Sequence, residues 1–215
     1  MAETENASRE KILARIRTAL REPAPRHESA EAKLIFAPVT DALDRFQKEC
    51  VINVTECALL PDLRASAAAI KNVLATLPAG DIFVQDSPDL RALAAEWQDG
   101  RSIQWSSEGA PRESSQATIT SCEALVAQTG SVLVSAACGG RGASVVAPVH
   151  IVVATMDQLV PDIDTALGRA QERGTVFNNS YLCLITGSSR TADIEKILVM
   201  GAHGPRRLLV FLAER

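Results

Sequence analysis

Two short runs of this chain bring hydroxyls, bare backbone and charge together in ways suited to holding an anion. Gly187-Ser188-Ser189-Arg190-Thr191 follows the apolar run Leu182 to Ile185, and the pattern predicts a strand, a turn and then a helix over 192–199. Backbone N–H groups at a helix start have no intrahelical partner, and the aligned peptide dipoles behind them favour a phosphate or carboxylate. Arg190 adds a fork of charged donors. The same residues also suit plain capping, with Ser188 or Ser189 as the cap and Arg190 paired to Asp193 three positions on. Spacing alone leaves both uses open. Thr129-Gly130-Ser131 precedes a second apolar run; its glycine lets backbone approach a ligand and its hydroxyls donate and accept, although a simple turn has the same composition.

A third segment, Cys138-Gly-Gly-Arg-Gly142, sets Arg141 among three glycines, which reads either as an anion grip or as a hairpin-like link between strands at 131–135 and 149–154. Cys138 is the thiol to test for reactivity. His150 lies in an apolar strand after Pro148, and His203 lies in the loop Gly201-Ala-His-Gly-Pro205. With Asp193, these two are the candidates for proton transfer, and His150 serves equally as a core histidine bonded to its surroundings. No spacing such as His-x-x-x-His joins the three, so no metal site is read. A Gly-x-Gly-x-x-Gly turn, a Gly-x-x-x-x-Gly-Lys-Ser/Thr loop and a serine nucleophile elbow are all missing from the sequence, which removes the usual support for nucleotide binding and for serine hydrolysis.

The chain resembles the lactate utilization protein C family of the LUD-domain group. The resemblance rests on Ala-Gln-Thr-Gly-Ser (127–131), Pro-Val-His-Ile-Val-Val (148–153), Gly-Ser-Ser-Arg-Thr-Ala-Asp-Ile-Glu (187–195) and Gly-Ala-His-Gly-Pro (201–205). It implies an α/β fold, a three-layer, mostly parallel sheet of the NagB/RpiA/CoA-transferase-like kind, with an N-terminal helical appendage. It further implies a component of an L-lactate utilization system acting with iron–sulfur partner proteins in oxidation of L-lactate to pyruvate, either as an enzyme or as an accessory subunit. Thr129, Gly130, Ser131, Gly187, Ser188, Ser189, Arg190 and Thr191 are then expected around an anionic small molecule. That family usually has Glu where this chain has Gln128, and an amide does not serve as a covalent carboxylate nucleophile. The alternatives are a stand-alone sugar-phosphate isomerase-like or CoA-ester enzyme, or an anion-sensing module.

These residues need a scaffold, and the composition allows one. The 215 residues, 47% of them hydrophobic, suffice for one sizeable core. A net charge of −4 speaks against broad nucleic-acid or anionic-membrane binding. Apolar runs are far shorter than the ~20 residues of a membrane span, and no apolar leader is read at the start, so a cytoplasmic location is expected. The five cysteines form no Cys-x-x-Cys pair, so no cofactor is evident in this chain. Iron–sulfur clusters are expected in the partner subunits that the resemblance implies.

Apolar periodicity predicts a helix over 8–20 capped by Ser8 and a linker containing Pro23 and Pro25, which divides the chain into 1–30 and an α/β domain over 31–215. Further helices are predicted at 41–49 with Thr40 as cap, at 61–77, from the Ser87-Pro88 start, at 122–127 and at 157–170. Strands are predicted at 51–54, 81–85, 102–105, 118–120, 131–135, 149–154, 181–185 and 208–213, with 181–185 central and 208–213 closing the sheet. Such alternation points to parallel strands flanked by helices, whose ligands sit beyond the carboxyl ends of the strands, where Gly187 to Arg190 are expected.

Overall fold

The computed structural model describes residues 2–21, 37–97, 100–191, 199–200 and 204–214, which fall into two compact units, 1–37 and 38–215. The first unit holds helix α1 (Ala2–Ala19). Ser8, expected as its N-cap, is inside it because the helix begins earlier.

The second unit is built on a six-stranded, all-parallel sheet. Its order is β1 (Thr55–Leu60), β12 (Arg207–Ala213), β7 (Val149–Thr155), β4 (Ala117–Thr120), β2 (Ile82–Val84) and β3 (Ile103–Trp105). Along β7, Val149, Ile151 and Val153 point to one face, where they meet helices α3 (Leu63–Ala75) and α4 (Pro88–Trp97) through Ile70, Leu74, Leu90 and Trp97. Val152 and Ala154 point to the other face, against helix α2 (Ala42–Ile52) and a second sheet. Each fully buried Leu or Ile contributes about 1.5–3 kcal/mol, so this two-sided burial explains the unbroken apolar runs of β7 and β12.

The second sheet has the order β8 (Leu159–Val160), β5 (Ala124–Val126), β6 (Ser131–Ser135), β9 (Leu182–Ile185), with β6 antiparallel to both neighbours. Its outer face is covered by Ala166 and Ala170 of helix α5 (Ile163–Glu172). The result is a three-layer α/β unit: α3 and α4, the parallel sheet, then α2 with the smaller sheet, backed by α5. A one-turn helix, α6 (Thr175–Asn178), and a ribbon of β10 (Arg190–Thr191) with β11 (Val199–Met200) complete the described elements.

The departures from expectation have local causes. Asp41, not Thr40, caps α2, its carboxylate accepting from the Asp44 N–H at 3.0 Å. The run Val51 to Val54 ends α2 and turns, and the strand starts at Thr55. Segment 122–127 is strand, since β5 is buried on both faces and pairs with β6. Pro161 divides 157–170, so that a short helical turn and β8 precede α5, which is capped by Asp162. Strand 182–185 is an edge of the smaller sheet, whereas 207–213, expected to close the main sheet, lies inside it between β1 and β7. Among the described residues no helix is long and apolar enough to cross a membrane.

Candidate functional site

The described parts of the four sequence motifs do gather in space, but at the amino ends of β1, β12 and β7. The Ser188 hydroxyl donates to the Val54 carbonyl at 2.9 Å and accepts from the Leu208 N–H at 3.3 Å. The Ser189 N–H donates to the Pro205 carbonyl at 2.8 Å, and the Arg206 N–H donates to the Pro148 carbonyl at 2.8 Å. The expected position beyond the carboxyl ends is therefore corrected. β9 runs antiparallel to β6 in the smaller sheet, and that direction delivers the chain after Ile185 to the start of β12.

Arg190 and Thr191 form β10, opposite Met200 and Val199 of β11, so Val199 is strand, and residues 192–198 of the helix expected over 192–199 lie outside the described residues. Gly187 has φ +83, and a Cβ there would stand 2.1 Å from the Asn53 carbonyl oxygen, so glycine is required for the turn to close on α2. Gly187 and Ser188 are buried and the Arg190 side chain is exposed. Asp193 and His203 lie outside the described residues, and of Thr191 only the backbone pairing is described.

Thr129, Gly130 and Ser131 join the same knot. Thr129 Oγ1 and Ser131 Oγ are 2.7 Å apart, Ser131 Oγ and Thr186 Oγ1 are 2.7 Å apart, and Asn53 Nδ2 donates to the Thr129 carbonyl at 3.0 Å. Gly130 packs against the Glu49–Cys50 backbone. Arg45, bonded to Glu49 at 2.7 Å, donates to the Gln128 carbonyl at 3.2 Å. These hydroxyls and charges are engaged with protein, which makes this corner a clasp between α2, β6 and β9.

His150 is fully buried on β7, its Nε2 2.9 Å from Thr120 Oγ1 and its Nδ1 without a protein partner. Burial pulls its pKa down to about 4, so the ring is neutral near pH 7. Cys138 is buried too, with Sγ 3.9 Å from Glu123 Oε1. Burial, joined by the Glu123 charge, pushes its thiol up against weaker opposing bonds from Ser135 and Ser121, which favours the protonated form of the thiol that the sequence marked for a reactivity test.

The carboxyl edge of the parallel sheet does carry a cleft, of about 300 Å³, between the turn after β3 (Ser106 and Gly109 to Pro111) and the segment after β6 (Ala136, Ala137 and Gly139 to Gly142). Arg141 lies at its wall, exposed, with Nη2 donating to the Ser180 carbonyl at 3.0 Å. One rim is held by Asp86, which accepts from Arg91 Nε at 2.5 Å, Arg91 Nη2 at 2.8 Å and Ser107 Oγ at 2.5 Å. Arg91, with help from Ser107, holds the Asp86 carboxyl down at about 2, and the guanidinium stacks 4.3 Å from the Trp105 ring centre. A backbone-lined hollow with one flexible cation and a serine hydroxyl suits a small carboxylate. Of its walls, the sequence singled out only 138–142. The Ser106-Ser-Glu-Gly-Ala-Pro111 run carries a turn signal that could have marked the other side.

The fold and cleft define a three-layer α/β domain with a small-molecule-sized hollow at the usual edge of a parallel sheet. The LUD domain model matches residues 100–213, just over half of the chain, and the chain belongs to the LUD domain family. It is similar to lactate utilization protein C of Deinococcus radiodurans, 34% identical over 98 residues that cover 45% of each chain. The protein of that name from Macrococcus caseolyticus is 34% identical over 90 residues, 40% of this chain and 39% of that one. The chain thus spans less than half the length of these two relatives. Escherichia coli YkgG, an uncharacterized protein, is 24% identical over 205 residues, 90% of this chain and 88% of its own. The crystal structure of a DUF162 family protein from Deinococcus radiodurans shares the fold, with a TM-score of 0.59 at 18% identity over 80% of this chain and 96% of that one.

Proposed function

We propose that this chain is a component of an L-lactate utilization system and that its part is to hold a small carboxylate in the carboxyl-edge cleft. Oxidation of L-lactate to pyruvate releases two electrons and two protons, and in this reading the electrons pass to iron–sulfur partner proteins. What supports it is the names of two relatives together with one geometric observation: the cleft at the ends of β2 and β3 is walled by the glycine-rich segment that carries Arg141. His150 belongs to this reading as a neutral hydrogen-bonding group, whereas Thr129 to Ser131 and Gly187 to Thr191 are assigned to the scaffold. A division into an N-terminal helix with linker, 1–30, and an LUD-type domain, 31–215, is part of the same proposal, as is a cytoplasmic location.

The test is genetic and physical at once. Deletion of the gene should abolish growth on L-lactate while sparing growth on pyruvate, with recovery on re-expression of the full chain, and capture of the tagged chain from lactate-grown cells should recover iron–sulfur proteins. Undiminished growth on L-lactate overturns the proposal.

A further inference from the structure

Read across the registered neighbours of the parallel sheet, one transverse row consists of Thr55, Leu208, His150, Thr118, Phe83 and Gln104. The whole row faces away from α3 and α4. Its four polar members are each at least nine-tenths buried: His150 and Thr118 are fully enclosed, and Thr55 and Gln104 are 6% exposed. Each keeps one atom without a protein partner, namely Thr55 Oγ1, His150 Nδ1, Thr118 Oγ1 and Gln104 Oε1. A buried polar group left unpaired destabilises a fold by roughly 1–3 kcal/mol, and folded proteins keep such groups few. Four on one row of one face mark a surface built to meet something polar.

The segment 136–147 roofs part of this row. Gly139 has φ +91, a conformation that strains any residue with a Cβ, and its Cα side faces the sheet, where a Cβ would lie 3.3 Å from the Phe83 ring and 3.6 Å from Gln85. Gly139 also lines the cleft, as does Ala110, whose carbonyl accepts from Gln104 Nε2 at 2.9 Å. Over Phe83, cleft wall and row roof are thus the same backbone at Gly139, while Gln104 is tied to the opposite wall at Ala110. Several of its hydrogen bonds close within the segment: Gly140 N–H to the Ala136 carbonyl at 2.9 Å, Ala143 N–H to Gly140 at 3.3 Å, and the Val145 and Val146 N–H groups to Gly142 at 3.1 Å. Outward ties hold its start, where the Ala136 N–H donates to the Tyr181 carbonyl at 3.1 Å, the Ala137 and Cys138 N–H groups donate to the Ser135 hydroxyl and carbonyl at 3.0 Å, and the Cys138 thiol lies 3.9 Å from Glu123; beyond it, Arg141 reaches the Ser180 carbonyl and Ser144 Oγ lies 3.5 Å from the Tyr181 hydroxyl. The backbone bonds of 139–146 close on the segment itself, so this stretch can hinge on the anchored start at 136–138.

We propose that residues 136–147 are a lid over an internal site floored by His150, Thr118 and Gln104, which receives the C2 oxygen of a small 2-hydroxy or 2-oxo carboxylate. The ligand class rests on the lactate reading above. The lid and the polar floor stand on the geometry. The floor offers hydroxyl, imidazole and amide but no cation, so it suits an uncharged oxygen, and a carboxylate there would lose its hydration without an opposite charge. The charged end of the ligand stays at the mouth with Arg141.

The experiment uses the purified full chain and two probes: L-lactate, and propionate, which has the same carboxylate and no C2 oxygen. By calorimetry L-lactate should bind about tenfold or more tighter than propionate, as expected of a site that hydrogen-bonds the missing group. Thr118→Val, which removes one unpaired hydroxyl at nearly constant shape, should collapse that ratio with an unchanged or higher Tm, and Thr118→Ser should restore it. Equal affinities for the two probes in the wild type, or a Thr118→Val protein that keeps the ratio, overturns the floor. Amide hydrogen exchange over 139–146 should slow on adding L-lactate, and unchanged exchange overturns the lid. If L-lactate does not bind while the deletion strain still fails on L-lactate, this inference falls alone. Normal growth of that strain beside discriminating binding overturns the metabolic role and sustains the site.

Discussion

His150 carries a pH prediction of its own. Folding holds its pKa down at about 4 through burial, whereas an unfolded histidine titrates near its ordinary 6.5. Between those values the unfolded chain binds more protons than the folded one, so stability is complete above about pH 6.5 and is lost as pH falls toward 4. The full span corresponds to on the order of 3 kcal/mol. Urea midpoints should fall between pH 7 and pH 5, above the range where ordinary carboxylates titrate, and an NMR titration of the ring should find it neutral at pH 5 in the folded protein. A ring that titrates near 6.5 would show that the residue is solvated. From sequence, His150 was open between core and cleft; its neighbours decide, since the alternation of β7 aims it at Thr118 and Thr120 and away from α3. Gly187 and Ser188 were read as a break in regular backbone, and the structure shows that break as a turn closing against Asn53 and Val54. A turn closing against Asn53 and a turn opening a helix have the same composition, and nothing local distinguishes them.

Elements were legible where burial pattern and end signals agreed. Pro61 to Leu77 was marked by helical apolar spacing and the Ser87-Pro88 start by its cap-then-proline signal, and both helices formed within a few residues of expectation. Cys122 to Ala127 failed because its helix-compatible composition is overruled by pairing with β6, a neighbour that begins only four residues beyond. The stretch after Asp157 failed because Pro161 was treated as tolerated; it ends β8, and Asp162 then caps α5 by accepting from the Thr165 N–H at 2.7 Å. That cap gives a second prediction. Asp162→Ala should destabilise the domain by about 1 kcal/mol, and Asp162→Asn by much less, measured by denaturant midpoint. Equal losses in both variants would assign the effect to charge rather than to the cap bond.

At the scale of the whole molecule, alternating helices and strands foretold a parallel sheet, but not that the second half would split into two sheets or that the motifs would gather at the amino edge. Sheet membership is decided between segments far apart in sequence: Thr55 stands opposite Leu208, and Arg207 opposite Val149. Removing 207–213 should therefore do more than trim an end. With β12 gone, β1 and β7 lose the strand that joins them, together with Leu208, Val210 and Leu212 of the core, and the shortened chain should lack the cooperative thermal transition of the intact one. A sharp transition retained by the truncated chain would refute a central role for that strand.

The same arrangement governs when the protein can be born. A ribosome has polymerised β1 more than a hundred and fifty residues before the partner of Thr55 exists, so the sheet's middle stays open until β12 is made. Until the stretch around Val210 has cleared the exit tunnel, the nascent chain displays two unsatisfied strand edges to the crowded cell, and chaperone occupancy should persist until that moment.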